Sequence, residues 1–131
     1  MEQNTSTIFS GLQALVQTTI YGEPASKANS RRLVRLGGIS RMIKSQKALS
    51  YSDSFRGQVK PLEVLLEGDL VVVMKIYYAT RRPDLDESLV LDLMQGVFYQ
   101  NDRQVKEKHI YWGLDKECPR VEIVLAKKDP Q

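Results

Sequence analysis

Hydrophobic and polar positions follow two different periods along this chain of 131 residues, and each period predicts one kind of element. From Asp69 the sequence reads DLVVVMKIYYA, a β-branched and aromatic run that predicts a central strand buried on both faces. Between Leu89 and Val97 apolar residues recur at helical spacing, which predicts a helix that begins near Asp86 and ends at Gly96.

The first half of the chain has weaker patterns. Residues 8–20 fit either a short helix or the approach to a strand at residues 16–21, and periodicity does not separate the two. Residues 32–36 and 39–43 fit the two arms of a hairpin that turns at Gly37-Gly38. Apolar residues at helical spacing then predict a helix over residues 45–59, with Ser45 as its N-cap.

Residues 105–112 and 120–126 predict two closing strands, most simply an antiparallel pair joined by GLDKECP. The fold class is therefore α/β (α+β), with a mixed sheet of about four strands plus the basic hairpin, packed with two helices. The length fits a single domain over residues 1–131, in which we expect residues 1–10 and 127–131 to be flexible.

Composition excludes several classes of protein. Hydrophobic residues make up 42% and charged residues 27%, which is typical of a folded globular chain rather than a disordered or fibrous one. The longest apolar run, residues 70–74, is far too short to cross a bilayer, and the N-terminus lacks the positive region of an export signal. A single cysteine, Cys118, excludes an internal disulfide and fits a reducing compartment. We therefore expect a cytoplasmic protein with no membrane partner.

The net charge of +3 is unevenly distributed along the chain. Residues 1–60 hold nine Lys or Arg against three acids, a net of +6, whereas residues 61–131 hold ten against thirteen, a net of −3. A basic half of this kind fits a polyanionic partner or, alternatively, an ordinary solvated face.

Acidic residues nevertheless crowd into residues 81–105, at Asp84, Asp86, Glu87, Asp92 and Asp102. Pro83 favours an extended chain before the helix, so that the carboxylates of Asp84 and Asp86 lie on one side and can share a cation. Mg²⁺ needs only two or three such ligands, because it keeps waters and substrate phosphates as well. Asp102 would be the third ligand if it returns to the same end of the sheet.

The alternative interpretation of these acids is structural. Asp86 suits a helix N-cap, Glu87 suits the positive end of the helix dipole, and Asn101-Asp102 is an ordinary turn pair. The residues by themselves do not decide between a metal site and these roles.

Other catalytic chemistry has little support in the sequence. His109, the one histidine, lies on a predicted strand without Cys or His neighbours, which favours a structural role over zinc binding or general-base catalysis. No glycine-rich phosphate loop is present, and we expect no small organic cofactor.

The string PDLDESLVLDLMQGVFYQNDRQV, preceded by Arg81-Arg82, resembles the signature of the RusA-type Holliday junction resolvases. That signature runs as Asp-Leu-Asp-Asn-Leu, an amphipathic helix, then Asp-Asp-x-Gln-Val. The likeness extends over most of residues 17–126, but only residues 81–105 are specific. It implies a homodimeric endonuclease, dependent on Mg²⁺ or Mn²⁺, that cuts four-way DNA junctions by paired nicks in a bacterial or phage-infected cell.

The resemblance also implies roles for single residues. The catalytic and metal-binding carboxylates would be Asp84, Asp86 and Asp102, with Glu87 as an additional ligand. Basic residues would hold the phosphates of the junction arms. These DNA-binding candidates are Lys27, Arg31, Arg32, Arg35, Arg41, Lys44, Arg81 and Arg82.

The chain departs from the family pattern in its helix and turn. Glu87 replaces the usual Asn, Asn101 replaces the first Asp of the second pair, and the helix is about two residues shorter than the usual spacing. The lysine usual in the first helical turn is missing. Candidates for its role are Lys27, Lys75, Arg81 and Lys106.

Three functions therefore remain in competition. The first is a Mg²⁺-dependent junction resolvase, and the second is a branched-DNA binding protein with weak or no catalysis, which the missing lysine would explain. The third is a nuclease that acts on flaps or other branched DNA.

Overall fold

A computed structural model describes residues 13–26 and 31–129, and in these ranges it contains six strands and two helices. The strands are β1 (Ala14–Tyr21), β2 (Arg31–Leu36), β3 (Ile39–Lys44), β4 (Leu70–Tyr78), β5 (Val105–Leu114) and β6 (Arg120–Lys127), and the helices are α1 (Gln46–Gln58) and α2 (Ser88–Met94). Strands β2 and β3 form a separate hairpin, and the other four form one mixed sheet. The predicted fold class is thereby confirmed.

Strand β4 lies inside the sheet, whose strand order is β1-β6-β4-β5. It pairs antiparallel with β6 and parallel with β5, and β1 pairs antiparallel with β6. The prediction that the last two strands pair with each other is wrong, because β4 lies between them. Every residue of β4 except Lys75 is buried, and a strand this apolar is most stable between two neighbours.

The main core lies between one face of the sheet and the two helices. Alternate residues of β4, from Leu70 to Tyr78, face this core, where Phe55 of α1 and Met94 of α2 pack with no exposed surface. A smaller cluster on the other face consists of Val71, Val73 and Val124, with Tyr111 packed against it. The alternation of side chains along β4 thus supplies apolar contacts to both faces.

Local contacts determine where the two helices begin and where α2 ends. The Ser45 hydroxyl oxygen accepts a hydrogen bond from the Ala48 N–H at 3.2 Å, which confirms the predicted N-cap of α1. Helix α2 begins at Ser88, two residues after Asp86, whose carboxylate accepts hydrogen bonds from the N–H and hydroxyl of Ser88. It ends before Gly96, whose φ of 78° breaks the helix as predicted.

The last residue of α1, Gln58, connects this helix to the edge strand β1. Its carboxamide oxygen accepts a hydrogen bond from the Tyr21 N–H at 2.7 Å, and its amide nitrogen donates to the Tyr21 carbonyl at 2.8 Å. The same nitrogen donates to the Ser54 hydroxyl. One side chain therefore satisfies both backbone groups of Tyr21 on the outer side of β1.

Residues 127 and 128, at the end of β6, make specific contacts. Lys127 belongs to β6, and the N–H of Lys128 donates to the Asp69 carbonyl at 2.9 Å while its ammonium group contacts Glu107 at 2.9 Å. The flexibility of residues 127–131 stays a prediction, and these contacts belong to its first two residues. The predicted flexible N-terminus, residues 1–10, lies outside the described ranges. No helix within those ranges has both the length and the apolar character needed to cross a membrane.

We predict opposite effects on stability for two glycine-to-alanine changes. A Cβ at Gly113 would lie 2.8 Å from the Tyr77 ring and 3.0 Å from the Lys75 side chain, so Gly113→Ala should lower the free energy of unfolding by about 1–3 kcal/mol. Gly57 lies in α1 with nothing within 4 Å of such a Cβ, so Gly57→Ala should raise it by about 0.4–1 kcal/mol. Urea denaturation of both variants measures the difference, and equal effects would contradict the close packing at Gly113.

Candidate active site

The acidic segment, which we define as residues 83–87, follows the end of β4 and leads into α2. Asp84 is exposed and Asp86 is half-buried, and both lie before the first helical residue, as predicted. The Asp84 side chain accepts no hydrogen bond from any residue in the described part of the chain. The Asp86 side chain is bonded to Ser88 at 2.6 and 3.0 Å, so the two carboxylates have different surroundings.

Two aromatic side chains hold the backbone of the acidic segment. The Tyr78 hydroxyl donates to the Asp84 carbonyl at 3.1 Å and accepts from the Asp86 N–H at 3.2 Å. The Trp112 indole N–H donates to the Pro83 carbonyl at 3.1 Å, and its ring stacks on Tyr78 with 6.0 Å between centroids. Burial is the main cause that raises the pKa of Tyr78, so its hydroxyl keeps its proton at neutral pH.

Glu87 and Lys108 form an ion pair at the start of α2. The Lys108 ammonium nitrogen lies 2.7 Å from a Glu87 carboxylate oxygen, and Lys108 lies opposite Val72 in the parallel β4–β5 pair. This lysine was not among the sequence-based candidates for the missing basic group, which included Lys106 of the same strand, because the contact joins residues 21 positions apart. It is a cation that the fold brings to the acidic segment.

Glu23 also lies at the end of β4, and the sequence patterns did not single it out. Its carboxylate accepts a hydrogen bond from the Ala79 N–H at 2.9 Å and contacts the Lys47 ammonium at 3.3 Å. It is also one of the acids whose charge raises the pKa of Tyr78, after the larger effect of burial. Glu23 therefore joins the segment after β1 to the strand end from which the acidic segment departs.

Asp102 lies in a short 3₁₀ turn, Asp102–Gln104, directly before β5. Its N–H donates to the Gln95 side chain at 3.0 Å, and the Asn101 side chain accepts from the Arg103 N–H at 2.9 Å. The Gln104 carboxamide accepts from the N–H groups of residues 100 and 101 and donates to the carbonyls of residues 66 and 68. The predicted turn is therefore present, and side-chain hydrogen bonds stabilise it.

The three aspartates come from two different connections of the fold. Asp84 and Asp86 follow the residue that ends β4, whereas Asp102 precedes β5, whose first residue, Val105, lies opposite Leu70 at the start of β4. Across residues 13–26 and 31–129, no group of three or more His, Cys, Asp and Glu is arranged to hold a metal ion. The approach of Asp102 to Asp84 and Asp86 stays a prediction.

The donor chemistry of the acidic segment nevertheless fits a hard cation. Mg²⁺ is bound in many sites by one or two carboxylates, with waters and substrate phosphates as the other ligands. Asp84 and Asp86 are two carboxylates separated by one residue, and Asp84 is exposed to solvent. The pair therefore suits Mg²⁺ that also contacts a phosphate, while Asp102 as a third ligand stays a prediction.

The basic candidates lie on several surfaces. Arg32, Arg35, Arg41 and Lys44 are exposed on the β2–β3 hairpin, and Arg81 and Arg82 are exposed after β4. Arg31 belongs to β2, but its side chain and the whole of Lys27 lie outside what the structure describes. Lys75 lies over the Tyr77 ring at 4.9 Å, on the face opposite Tyr78, so it is directed away from the acidic segment.

His109 takes part in a charged cluster on β5. Its Nε2 lies 2.7 Å from a Glu107 carboxylate oxygen, and the other oxygen of Glu107 contacts Lys128 at 2.9 Å. The hydrogen bond with His109, followed by the one from Lys128, lowers the pKa of Glu107. These contacts account for the charge of Glu107, and His109 belongs to no metal-ligand group among the described residues.

Comparison with known proteins gives a family match. The family model described as endodeoxyribonuclease RusA matches residues 22–126, which is most of the chain. The match includes the acidic segment, α2 and the turn at Asp102, and it confirms the resemblance found in residues 81–105. No curated protein matches the chain.

We predict that the Gln104 carboxamide stabilises the turn at Asp102. Gln104→Met keeps the length of the side chain but removes both acceptor and donor bonds, and should lower the free energy of unfolding by about 1–3 kcal/mol. The matched control Gln100→Met changes an exposed side chain and should stay within about 0.5 kcal/mol of the parent. Chemical denaturation measures both values, and a Gln104 variant as stable as the control would contradict this role.

Proposed function

Because the chain belongs to the endodeoxyribonuclease RusA family, whose members resolve Holliday junctions, we propose that it cuts four-way DNA junctions by paired symmetric nicks. Membership makes it a crossover junction endodeoxyribonuclease. The observation that supports the further proposal is the position of Asp84 and Asp86, which lie on a held segment at the end of the central strand. Such a site acts on DNA inside the bacterial or phage-infected cell.

The metal would be Mg²⁺, with Mn²⁺ as a substitute, held by Asp84 and Asp86 with Asp102 as the third ligand. When bound, the cation lowers the pKa of a water and stabilises negative charge on the phosphate. The exposed carboxylate of Asp84 is accessible to a phosphate, and that of Asp86 is oriented by Ser88. Glu87, which pairs with Lys108, would join as a ligand only if it exchanged this partner.

Hydrolysis forms one bond between a water oxygen and phosphorus and breaks one phosphorus–oxygen ester bond. The attacking water loses a proton, and the departing sugar oxygen gains one. Lys108 lies beside the acidic segment and carries the ammonium group that would contact the phosphate in place of the missing helical lysine. The Lys108 side chain is 47% exposed and is therefore accessible to a DNA phosphate from solvent.

The exposed arginines and lysine of the β2–β3 hairpin would bind phosphates on the junction arms. No acid lies in residues 31–44, so all charged side chains of the hairpin are positive. Phosphate contacts of this kind give affinity and orientation but little sequence information.

A homodimer would make the paired nicks. A four-way junction has approximate two-fold symmetry, and an isologous dimer with one site in each subunit matches it. A monomer of 15.0 kDa covers only a part of such a junction.

A second candidate function is binding of branched DNA with weak or no catalysis. It is favoured by one observation, namely that no group of three or more His, Cys, Asp and Glu among the described residues is arranged to hold a metal ion. Incubation with a labelled four-way junction and Mg²⁺ or Mn²⁺ separates the candidates. Symmetric nicks support the resolvase, binding without nicks supports the second candidate, and equal cutting of flaps supports a broader nuclease.

We predict that Asp84→Asn, Asp86→Asn and Asp102→Asn each lower the nicking rate by more than about 100-fold. This exceeds the 10- to 100-fold losses typical of groups that only support metal ligands. Junction binding in a gel-shift assay without metal should persist, because these acids do not attract phosphate. The control Asp53→Asn, at an 86% exposed side chain on α1, should nick at the parent rate. Full activity of the Asp102 variant would remove that residue from the ligand set.

We predict a weaker dependence of junction binding on salt when the hairpin loses charge. Replacing Arg35 and Arg41 by Gln should make the slope of log affinity against log salt shallower by about 1.8, since each phosphate contact contributes about 0.9. The control Lys127→Gln, at an exposed position on β6, should leave the slope unchanged. An unaltered slope in the hairpin variant would show that these two arginines do not contact DNA phosphates.

A further inference from the structure

The backbone of the acidic segment has no partner strand in the described part of the chain, since it lies between the end of β4 and the start of α2. Such a segment keeps a fixed shape only if other groups bond to its carbonyl and N–H groups. Three of these groups, at Pro83, Asp84 and Asp86, are bonded by Tyr78 and Trp112.

The two aromatic residues are themselves firmly placed. Tyr78 ends the buried strand β4 and is 1% exposed, and Trp112 is half-buried on the neighbouring parallel strand β5. Their rings stack at 6.0 Å with 29° between planes. Tyr78 and Trp112 therefore hold the acidic segment against two strands of the sheet.

The Tyr78 hydroxyl makes the more specific contact, because it bonds on both sides of Leu85. It donates to the carbonyl before Leu85 and accepts from the N–H after it. These two bonds determine how the chain runs from Asp84 to Asp86, and so determine the separation and direction of the two carboxylates. A phenylalanine ring would pack in the same place but would leave both backbone groups without this partner.

We propose that Tyr78 is a positioning residue for a divalent cation, which it serves by holding Asp84 and Asp86 at a fixed separation, with Trp112 supporting it. This inference rests on the proposed function, because it takes these aspartates as the metal ligands. Tyr78 touches neither the metal nor the DNA; it acts through the backbone of the two ligands. Residues that orient ligands in this way typically change metal affinity by 10- to 100-fold when they are altered.

The neighbouring tyrosines offer matched controls. The Tyr51 hydroxyl is buried and has no hydrogen-bond partner among the residues that the structure describes, so Tyr51→Phe removes a hydroxyl near Tyr78 without breaking a described bond. The Tyr99 hydroxyl donates to the Leu91 carbonyl at 2.7 Å, so Tyr99→Phe removes a buried bond that does not involve the acidic segment. Tyr51→Phe tests whether loss of any nearby hydroxyl changes metal binding. Tyr99→Phe tests whether a general loss of stability changes it.

The experiment compares Tyr78→Phe with the parent chain and both controls in two measurements. Mn²⁺ binding without DNA is followed by electron paramagnetic resonance, and nicking of a four-way junction is followed across a Mg²⁺ titration. We expect Tyr78→Phe to weaken Mn²⁺ binding by about 10-fold and to raise the Mg²⁺ concentration for half-maximal nicking by a similar factor. Maximal nicking at high Mg²⁺ should recover, while Tyr51→Phe and Tyr99→Phe should keep the parent metal dependence.

The outcomes separate this inference from the proposed function. A parent chain that binds Mn²⁺ and nicks junctions, with Tyr78→Phe equal to it in metal dependence, overturns the positioning role alone. A parent chain that binds no Mn²⁺, or whose binding Asp84→Asn leaves intact, overturns the proposed ligands and the positioning role together. If Tyr78→Phe is too unstable to assay, Trp112→Phe keeps the test decisive, because it removes the bond to Pro83 and should shift the same metal dependence in the same direction.

Discussion

The burial of strand β4 is the constraint on which the rest of the structure depends. Eight of its nine residues are buried, and only Lys75 retains partial exposure. Such a strand needs a neighbour on each side, which is why β6 and β5 flank it and why the last two strands do not pair with each other. Helix α2 then forms the crossover between two parallel strands, and the acidic segment is the connection that enters this crossover.

The same arrangement explains the chemistry available at the end of β4. Because alternate side chains point to opposite faces, Tyr78 is directed towards the helices and the acidic segment, whereas Tyr77 is directed to the other face beneath Lys75 and Arg120. A lysine from β5 meets Glu87 for the same reason, since Lys108 and Val72 share a register position. Backbone pairing thus places a lysine beside Glu87 and a tyrosine hydroxyl beside the backbone of the two aspartates.

The sequence predicted the local elements well and their partners less well. The Ser45 cap, the turn at Gly37-Gly38 and the glycine that ends α2 each depend on a few adjacent residues, and all three are present. The pairing of β5 with β4 depends on residues about 35 positions apart, as in Leu70 opposite Val105, and no periodic pattern carries that information. In the same way Asp84 and Asp86 were recognisable from their motif, whereas Tyr78, Trp112, Glu23 and Lys108 became visible only through contacts between distant segments.

The carboxamide of Gln58 has a consequence for how molecules of this chain associate. Strand β1 forms one edge of the sheet, and an exposed edge normally invites a strand from another molecule. At Tyr21 the outward N–H and carbonyl are already occupied by Gln58, which imitates the backbone of an added strand for one residue. Growth of the sheet across subunits is therefore blocked at this end of β1, and any strand-mediated contact along that edge has to end before Tyr21.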